Sequence, residues 1–324
     1  MKKNNLIGVK NLNSLVWFSL LSIFFALNFY FSPQIDIERY QDYYQNFDPS
    51  FIEQKNAIRE PVFFYFFPLL GYIFGLGEIT LVLILIFSAS LIIATLRNLG
   101  IPNIYSLPVI TFPVIFVMYD NVLRQYLSVW LLLFAFSLFF KLKRDSLKEG
   151  IYLVVSFLTH NAIFLSLPLI FFYKYKLSSI KKFKNIGYFL SIVIAITLIF
   201  FYNTEFVARS SANTGQDLSL HAVIATIFMG LAYQLLEYLL GNKIPYHTIA
   251  YTTGILFFLL IMNFSSSSIE RSTFVFMSFY YLMIIKLLNK IFGYIMVPIL
   301  IIVNLIVLFK FPSTHQMMFD GILI

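Results

Sequence analysis

Between Ser32 and Pro61 the chain reads SPQIDIERYQDYYQNFDPSFIEQKNAIREP, its longest polar stretch, with six carboxylates and three Arg/Lys. Asp36, Glu38, Arg39 and Tyr40 lie near its start, and Glu60 lies at its end. Elsewhere ionisable groups are sparse. Asp120 and Arg124 flank a short polar break, His160 and Asn161 interrupt an apolar run, and Arg209 and Arg271 stand in two later polar segments. A carboxylate can take a proton from a hydroxyl, and histidine can do the same. Arginines grip phosphate oxygens bidentately and stabilise charge on a departing phosphate. This set suits transfer of a group from a lipid phosphate to an alcohol. The catalytic candidates are Asp36, Glu38 and His160. The binding candidates are Arg39, Tyr40, Glu60, Asp120, Arg124, Asn161, Arg209 and Arg271.

Each candidate also has a plainer reading. Asp36, Glu38 and Asp42 read equally as solvated charges at a membrane surface. Asp36 stands out because it lies nearest the end of the first apolar run, with Arg39 at i+3 on one helix face. Glu60-Pro61 fits a stop before a helix, since Pro is ordinary at a first helical position. Arg124 fits an interfacial anchor that snorkels. His160 fits a turn cap, Arg271 fits a rim ion pair with Glu270, and Glu237 reads as structural.

The elements that would position these groups are apolar helices. The chain has 324 residues, 60% hydrophobic and 12% charged, where a soluble domain carries about a quarter charged. Runs of about 20 apolar residues recur, each long enough to cross a bilayer core as a helix. The net charge of +8 comes from Lys/Arg in short loops, a cytoplasmic-loop signature rather than a nucleic-acid one. With no cysteine there is no disulfide and no thiolate metal site. No GxxxxGK[ST], GxGxxG, HExxH or CxxC motif occurs. No cofactor and no metal are expected. The N-terminal lysines precede an apolar run without a small-residue cleavage site, which reads as an uncleaved first span.

Loop charge orders the spans. The first covers about residues 12–32, from inside to outside, so residues 33–61 form an exofacial catalytic loop. Residues 62–77 are too short to cross comfortably and contain Pro68. They are expected to lie as an interfacial, dipping helix. Spans over residues 79–96, 103–119 and 126–140 follow. Residues 150–173 are apolar but sit between two basic loops. One straight helix would place one of those loops outside, against the positive-inside rule. A hairpin with His160 at its tip resolves this, and a turn at membrane depth must line an enclosed cavity. Later come a second exofacial loop at 203–220, an outer turn at 265–271 and further spans. The expectation is a single transmembrane domain over 1–324, all-α, with about eleven membrane helices plus the dipping helix.

Four strings resemble one family. They are Asp36-Ile37-Glu38-Arg39-Tyr40, Glu60-Pro61-Val62-Phe63, Arg124-Gln125-Tyr126 and Thr159-His160-Asn161. They are similar to motifs of EpsG-like proteins, the Wzy-type polymerases of bacterial exopolysaccharide, capsule or O-antigen. The order of elements also resembles the GT-C glycosyltransferase fold, in which an acidic first exofacial loop carries the base. The resemblance implies a polymerase in the bacterial inner membrane, with its N-terminus cytoplasmic and its active site on the outer face. It would join polyprenyl-pyrophosphate-linked oligosaccharides and work beside a flippase and a chain-length regulator. Asp36 or Glu38 would act on the acceptor hydroxyl. Arg39, Arg124, Arg209 and Arg271 would meet the pyrophosphate, and His160 the phosphate or a sugar hydroxyl. GT-C loops often carry two adjacent acids, whereas Ile37 separates Asp36 from Glu38 here. Three other readings remain: a GT-C transferase adding one sugar from a polyprenyl phosphate, a membrane O-acyltransferase, and a transporter. A transporter would show inverted repeats and midplane charges, and neither is apparent.

Overall fold

The computed structural model describes residues 2–31, 35–49, 60–142, 147–166, 216–242, 246–261 and 266–310. Among them the elements are all helical: α1 (Lys2–Phe31), α2 (Ile35–Gln45), a π-turn (Val62–Phe66), α3 (Phe67–Ile73), α4 (Ile79–Leu99), α5 (Ser106–Thr111), α6 (Pro113–Asn121), α7 (Leu123–Leu142), α8 (Leu147–Thr159), α9 (Gln216–Leu239), α10 (Tyr246–Ile261), α11 (Ser266–Phe292) and α12 (Met296–Lys310). Short 3-10 turns occupy Asn103–Tyr105, Asn161–Ser166 and Gly293–Ile295. Asn11–Tyr30, Ile79–Leu99, Ala222–Leu239 and Arg271–Leu308 are long and apolar enough to cross a bilayer. An all-helical, multi-pass membrane protein fits these lengths.

The chain divides into two compact units, Met1–Asn161 with Asn289–Ile324, and Ala162–Leu288. In the first, α1, α4, α7 and α8 pack successively side by side. The centre is α7, whose Tyr126, Trp130 and Phe136 are fully buried. A helix apolar on every side belongs inside a bundle. Ser156 Oγ of α8 donates to the Ser128 carbonyl of α7 at 2.8 Å. In the second unit α9 packs on α10. Thr252 Oγ1 of α10 and Tyr280 Oη of α11 share a hydrogen bond of 2.7 Å. Glu237, near the end of α9, accepts from Tyr233 Oη and from Asn242 Nδ2. It clasps the helix end, in keeping with a structural role.

Several segments break where the sequence suggests continuous helix. The run 103–119 divides at Phe112, which is extended at φ −63°, ψ 123°. Pro113 is the cause, because the residue before proline is pushed out of the helical region. The Pro108 carbonyl, near the end of α5, accepts from Asn304 Nδ2 of α12 at 2.8 Å. Irregular backbone among apolar helices persists only with such internal partners. The outer turn expected over 265–271 is instead the start of α11, which begins at Ser266. Residues 216–220 of the expected second loop already belong to α9. Residues 203–215 lie outside the described residues, and so does the second hairpin arm beyond Ser166. The first arm, α8, has 13 residues and is about 20 Å long.

The segment expected to dip is also broken, in an informative way. Phe67 N–H donates to the Val62 carbonyl, a π-type bond. The next residue, Pro68, has no N–H with which to continue. The carbonyls of Phe63 and Phe64 are therefore next in line without a backbone donor. Tyr44 and Tyr43 of α2 supply the hydrogens, each hydroxyl at 2.7 Å. Gly75, at φ +63°, then turns the chain back after α3.

Tyr44→Phe should lower stability by about 1–3 kcal/mol, because it leaves a buried carbonyl unmatched. In a Pro68→Ala background, where position 68 regains its N–H, most of that cost should vanish. Thermal unfolding of the four proteins of this cycle in detergent tests the coupling. Equal costs in both backgrounds would refute it.

Candidate functional site

Glu60 precedes the π-turn, and its own carbonyl accepts from Phe64 N–H at 3.0 Å. That bond and Pro61 set the direction in which its side chain leaves the backbone. Arg124 sits in the first turn of α7, just past Val122, where the backbone breaks at φ −132°, ψ 57°. His160 follows the last residue of α8, its N–H still bonded to the Ser156 carbonyl at 3.1 Å. Each of the three therefore stands at a helix break.

These breaks meet. His160 Nδ1 lies 2.5 Å from Glu60 Oε1. Arg124 Nη1 donates to the other oxygen, Oε2, at 2.6 Å. The Arg124 guanidinium also lies over the Phe64 ring, 5.4 Å from its centroid, a cation–π contact. Glu60 and His160 are buried, with side chains 6% and 1% exposed, whereas Arg124 keeps 22%. Arg124 is thus the most exposed member of the cluster.

Burial alone would push the Glu60 carboxyl up. The His160 ring and the Arg124 guanidinium outweigh burial and hold it down at about 2. Glu60 is therefore an ionised acceptor at neutral pH and too weak a base to take a proton. An ionised carboxylate only accepts, so the hydrogen between it and His160 resides on Nδ1. The ring is thereby fixed in tautomer and orientation, leaving Nε2 as the nitrogen able to exchange a proton.

An aromatic platform backs the cluster. Tyr40, Tyr43 and Tyr44 of α2 fall at i, i+3 and i+4, on one helix face. Tyr40 meets Phe63 edge-on at 5.0 Å, and Tyr43 meets Phe64 at 5.7 Å. Phe64 thus carries Arg124 on one side and the α2 tyrosines on another.

The sequence candidates divide accordingly. Glu60, Arg124 and His160 come into direct contact, and Tyr40 joins them through Phe64. Glu38 and Arg39 lie on the exposed face of α2. Position 36 lies in the first turn of α2, four residues before Tyr40 and so in register with its aromatic face. Asp120 closes α6 across the Val122 break from Arg124. Asn161 opens the 3-10 turn after His160. Arg271 is half-buried on α11, in the second unit. Arg209 lies outside the described residues. Among the described residues no three His, Cys, Asp or Glu side chains group as metal ligands.

The sequence undervalues two features. Glu60 reads there as one binding candidate among eight, with a helix stop as its plainer reading, and the pair Phe63–Phe64 is not singled out as a platform. The signal for both was present, as an acid before Pro-Val-Phe-Phe and a tyrosine triplet at helical spacing.

Fold and site together define an all-helical membrane protein with a buried Glu–His–Arg cluster at the junction of three broken segments. A profile of the EpsG family matches residues 13–320, and the chain belongs to that family. No curated protein and no solved structure gives a significant match.

Because Glu60 titrates lower folded than its ordinary value of 4.5, its contribution to stability is complete above pH 4.5. It is lost as pH falls toward about 2. A melting series in detergent should show wild type losing stability across that window and Glu60→Gln losing much less. At neutral pH Glu60→Gln should cost about 3–5 kcal/mol, as expected when one partner of a buried ionic cluster is removed. Parallel pH profiles for the two proteins would refute the assignment.

Proposed function

We propose that this chain is a Wzy-type glycosyltransferase. It joins polyprenyl-pyrophosphate-linked oligosaccharide repeat units into a bacterial surface polysaccharide, whether O-antigen, capsule or exopolysaccharide. Family membership supports polysaccharide synthesis. The observation that carries the reading is the Glu60–His160–Arg124 cluster, because its members come from three of the four strings that resemble the family.

In this reading the growing chain is the donor. Its anomeric carbon–oxygen bond to the pyrophosphate breaks as a hydroxyl of the next lipid-linked unit attacks that carbon. The hydroxyl proton passes to His160 Nε2, with Glu60 holding the ring. Arg124 meets the departing pyrophosphate, and Arg39, Arg209 and Arg271 are further candidates for it. Asp36 or Glu38 orients the acceptor hydroxyl. Asp36 is favoured, because it lies nearest the end of the first apolar run. The enzyme lies in the inner membrane with its N-terminus cytoplasmic, about eleven membrane helices in a GT-C-like order, and this site on the outer face. Loop charge supports that orientation. The contact of Glu60, Arg124 and His160 agrees with all three segments reaching one depth. A flippase would supply the substrate, and a chain-length regulator would act on the product.

The test is made in the native host. The gene is deleted and complemented with wild type, Arg124→Ala, His160→Ala or Asp36→Asn at matched membrane levels. Surface polysaccharide is then resolved by size. Deletion should leave a single capped repeat unit. His160→Ala should lower polymerisation by about 10²-fold or more, the loss of a general base. A repeat shortened by one sugar would make the chain a monosaccharide transferase instead. An unchanged ladder would remove the polymerase reading and favour acyl transfer or transport.

A further inference from the structure

A second candidate site lies at the other end of the broken dipping helix. A pocket of about 420 Å³ opens between the C-terminal end of α2 and the turn after α3. That volume falls in the range of small-ligand sites. Its walls include Tyr44, Gln45, Phe47, Tyr72, Gly77 and Glu78. Val62–Ile73 separates it from Glu60 by about 18 Å of helix.

The lining chemistry is selective. Gln45 and Glu78 carry planar groups that suit paired hydroxyls, and neither has a hydrogen-bond partner among the described residues. Glu78 occupies the N-cap position of α4, yet its side chain makes no cap hydrogen bond. Its carboxylate therefore does not serve the helix end beside it. Gly77, at φ +49°, lets the Gln45 side-chain oxygen lie against its backbone, where a Cβ would collide. Tyr72 is 58% exposed at the pocket, and Phe47 is 8% exposed. The Tyr72 ring offers an apolar surface whose negative quadrupole attracts weakly positive C–H edges. Among the described residues no Lys, Arg or His lines the pocket, so a phosphate would meet the Glu78 carboxylate without a cation from them. Aromatic faces, unpartnered amide and carboxylate groups and no cation together match a neutral, hydroxyl-rich ring.

We propose that this pocket is a saccharide subsite, which holds sugars of a substrate away from the bond being made. The proposal deepens the polymerase reading and rests on it for the identity of the sugar. Such a subsite retains the growing chain between additions. Its loss should shorten the product without stopping synthesis.

Two measurements test it. The full chain in nanodiscs is titrated with the host's own surface polysaccharide, depolymerised to oligosaccharides of one to three repeats. Saturation-transfer NMR reads the binding. Wild type and His160→Ala should bind alike. Tyr72→Ala and the double variant Gln45→Ala/Glu78→Gln should bind at least tenfold more weakly. Truncation of the exposed Tyr72 opens no core cavity, so folding is preserved. In the host, both pocket variants should keep a ladder but shift it to shorter chains. No transfer to wild type at millimolar oligosaccharide, or wild-type binding by both pocket variants, would overturn the subsite. Binding that depends on Tyr72, in a host whose ladder survives gene deletion, would uphold the subsite and remove the polymerase reading.

Discussion

A buried carboxylate that must stay ionised is the constraint on which the first unit depends. Glu60 is held by groups 64 and 100 residues away in sequence. Removing a charge from water is costly unless partners of opposite sign meet it with good geometry. Arg124 and His160 take one carboxylate oxygen each. To bring them there, three apolar segments must all fail as helices at one place. The dipping segment begins at Pro61, the α6–α7 run breaks at Val122, and α8 stops before His160. The cluster and the breaks are thus one feature, because a continuous helix at any of the three positions would carry its polar residue elsewhere.

Breaking helices among apolar neighbours exposes backbone groups that water cannot reach. The fold answers with side chains placed opposite each gap. Tyr43 and Tyr44 donate to the Phe64 and Phe63 carbonyls, one turn before Pro68. Asn304 donates to the Pro108 carbonyl before the Phe112 break. Ser156 ties α8 to α7 one turn before His160. Such bonds tie α2 to the π-turn and α12 to α5. The site therefore sits on a braced frame, although its members stand at irregular backbone.

How much of this the sequence reveals depends on range. Class and helix existence follow from composition and run length, which are local. The helix break at His160 agrees with the argument from two basic loops, which needs no contacts, while the return arm of that hairpin lies outside the described residues. Pro68 and Pro113 mark breaks locally, although Pro113 stands inside a run that reads as one span. The rank of the acids is different. Asp36 and Glu38 attract attention because they sit near a span end in a recognisable string. Glu60 hides behind a plausible role as a helix stop. Nothing local says that its partners lie 64 and 100 residues onward. Pairing across such separations is a tertiary fact, and pattern alone reached it only through the strings resembling a family.

The same geometry bears on which group handles the proton. A carboxylate held at about 2 by His160 and Arg124 is a poor base but a firm support. Its grip on Nδ1 leaves His160 one working nitrogen in a defined direction. In the proposed reading a histidine so oriented would accept the hydroxyl proton, and the adjacent anion would stabilise the imidazolium that results. Arg124, bonded to the same carboxylate yet still partly exposed, would in that reading meet a leaving pyrophosphate without releasing Glu60. Acceptor activation and leaving-group stabilisation would then be coupled through a single buried anion. Replacing Glu60 by glutamine would weaken both at once. Replacing Asp36 would leave that coupling intact and alter only how the acceptor is held.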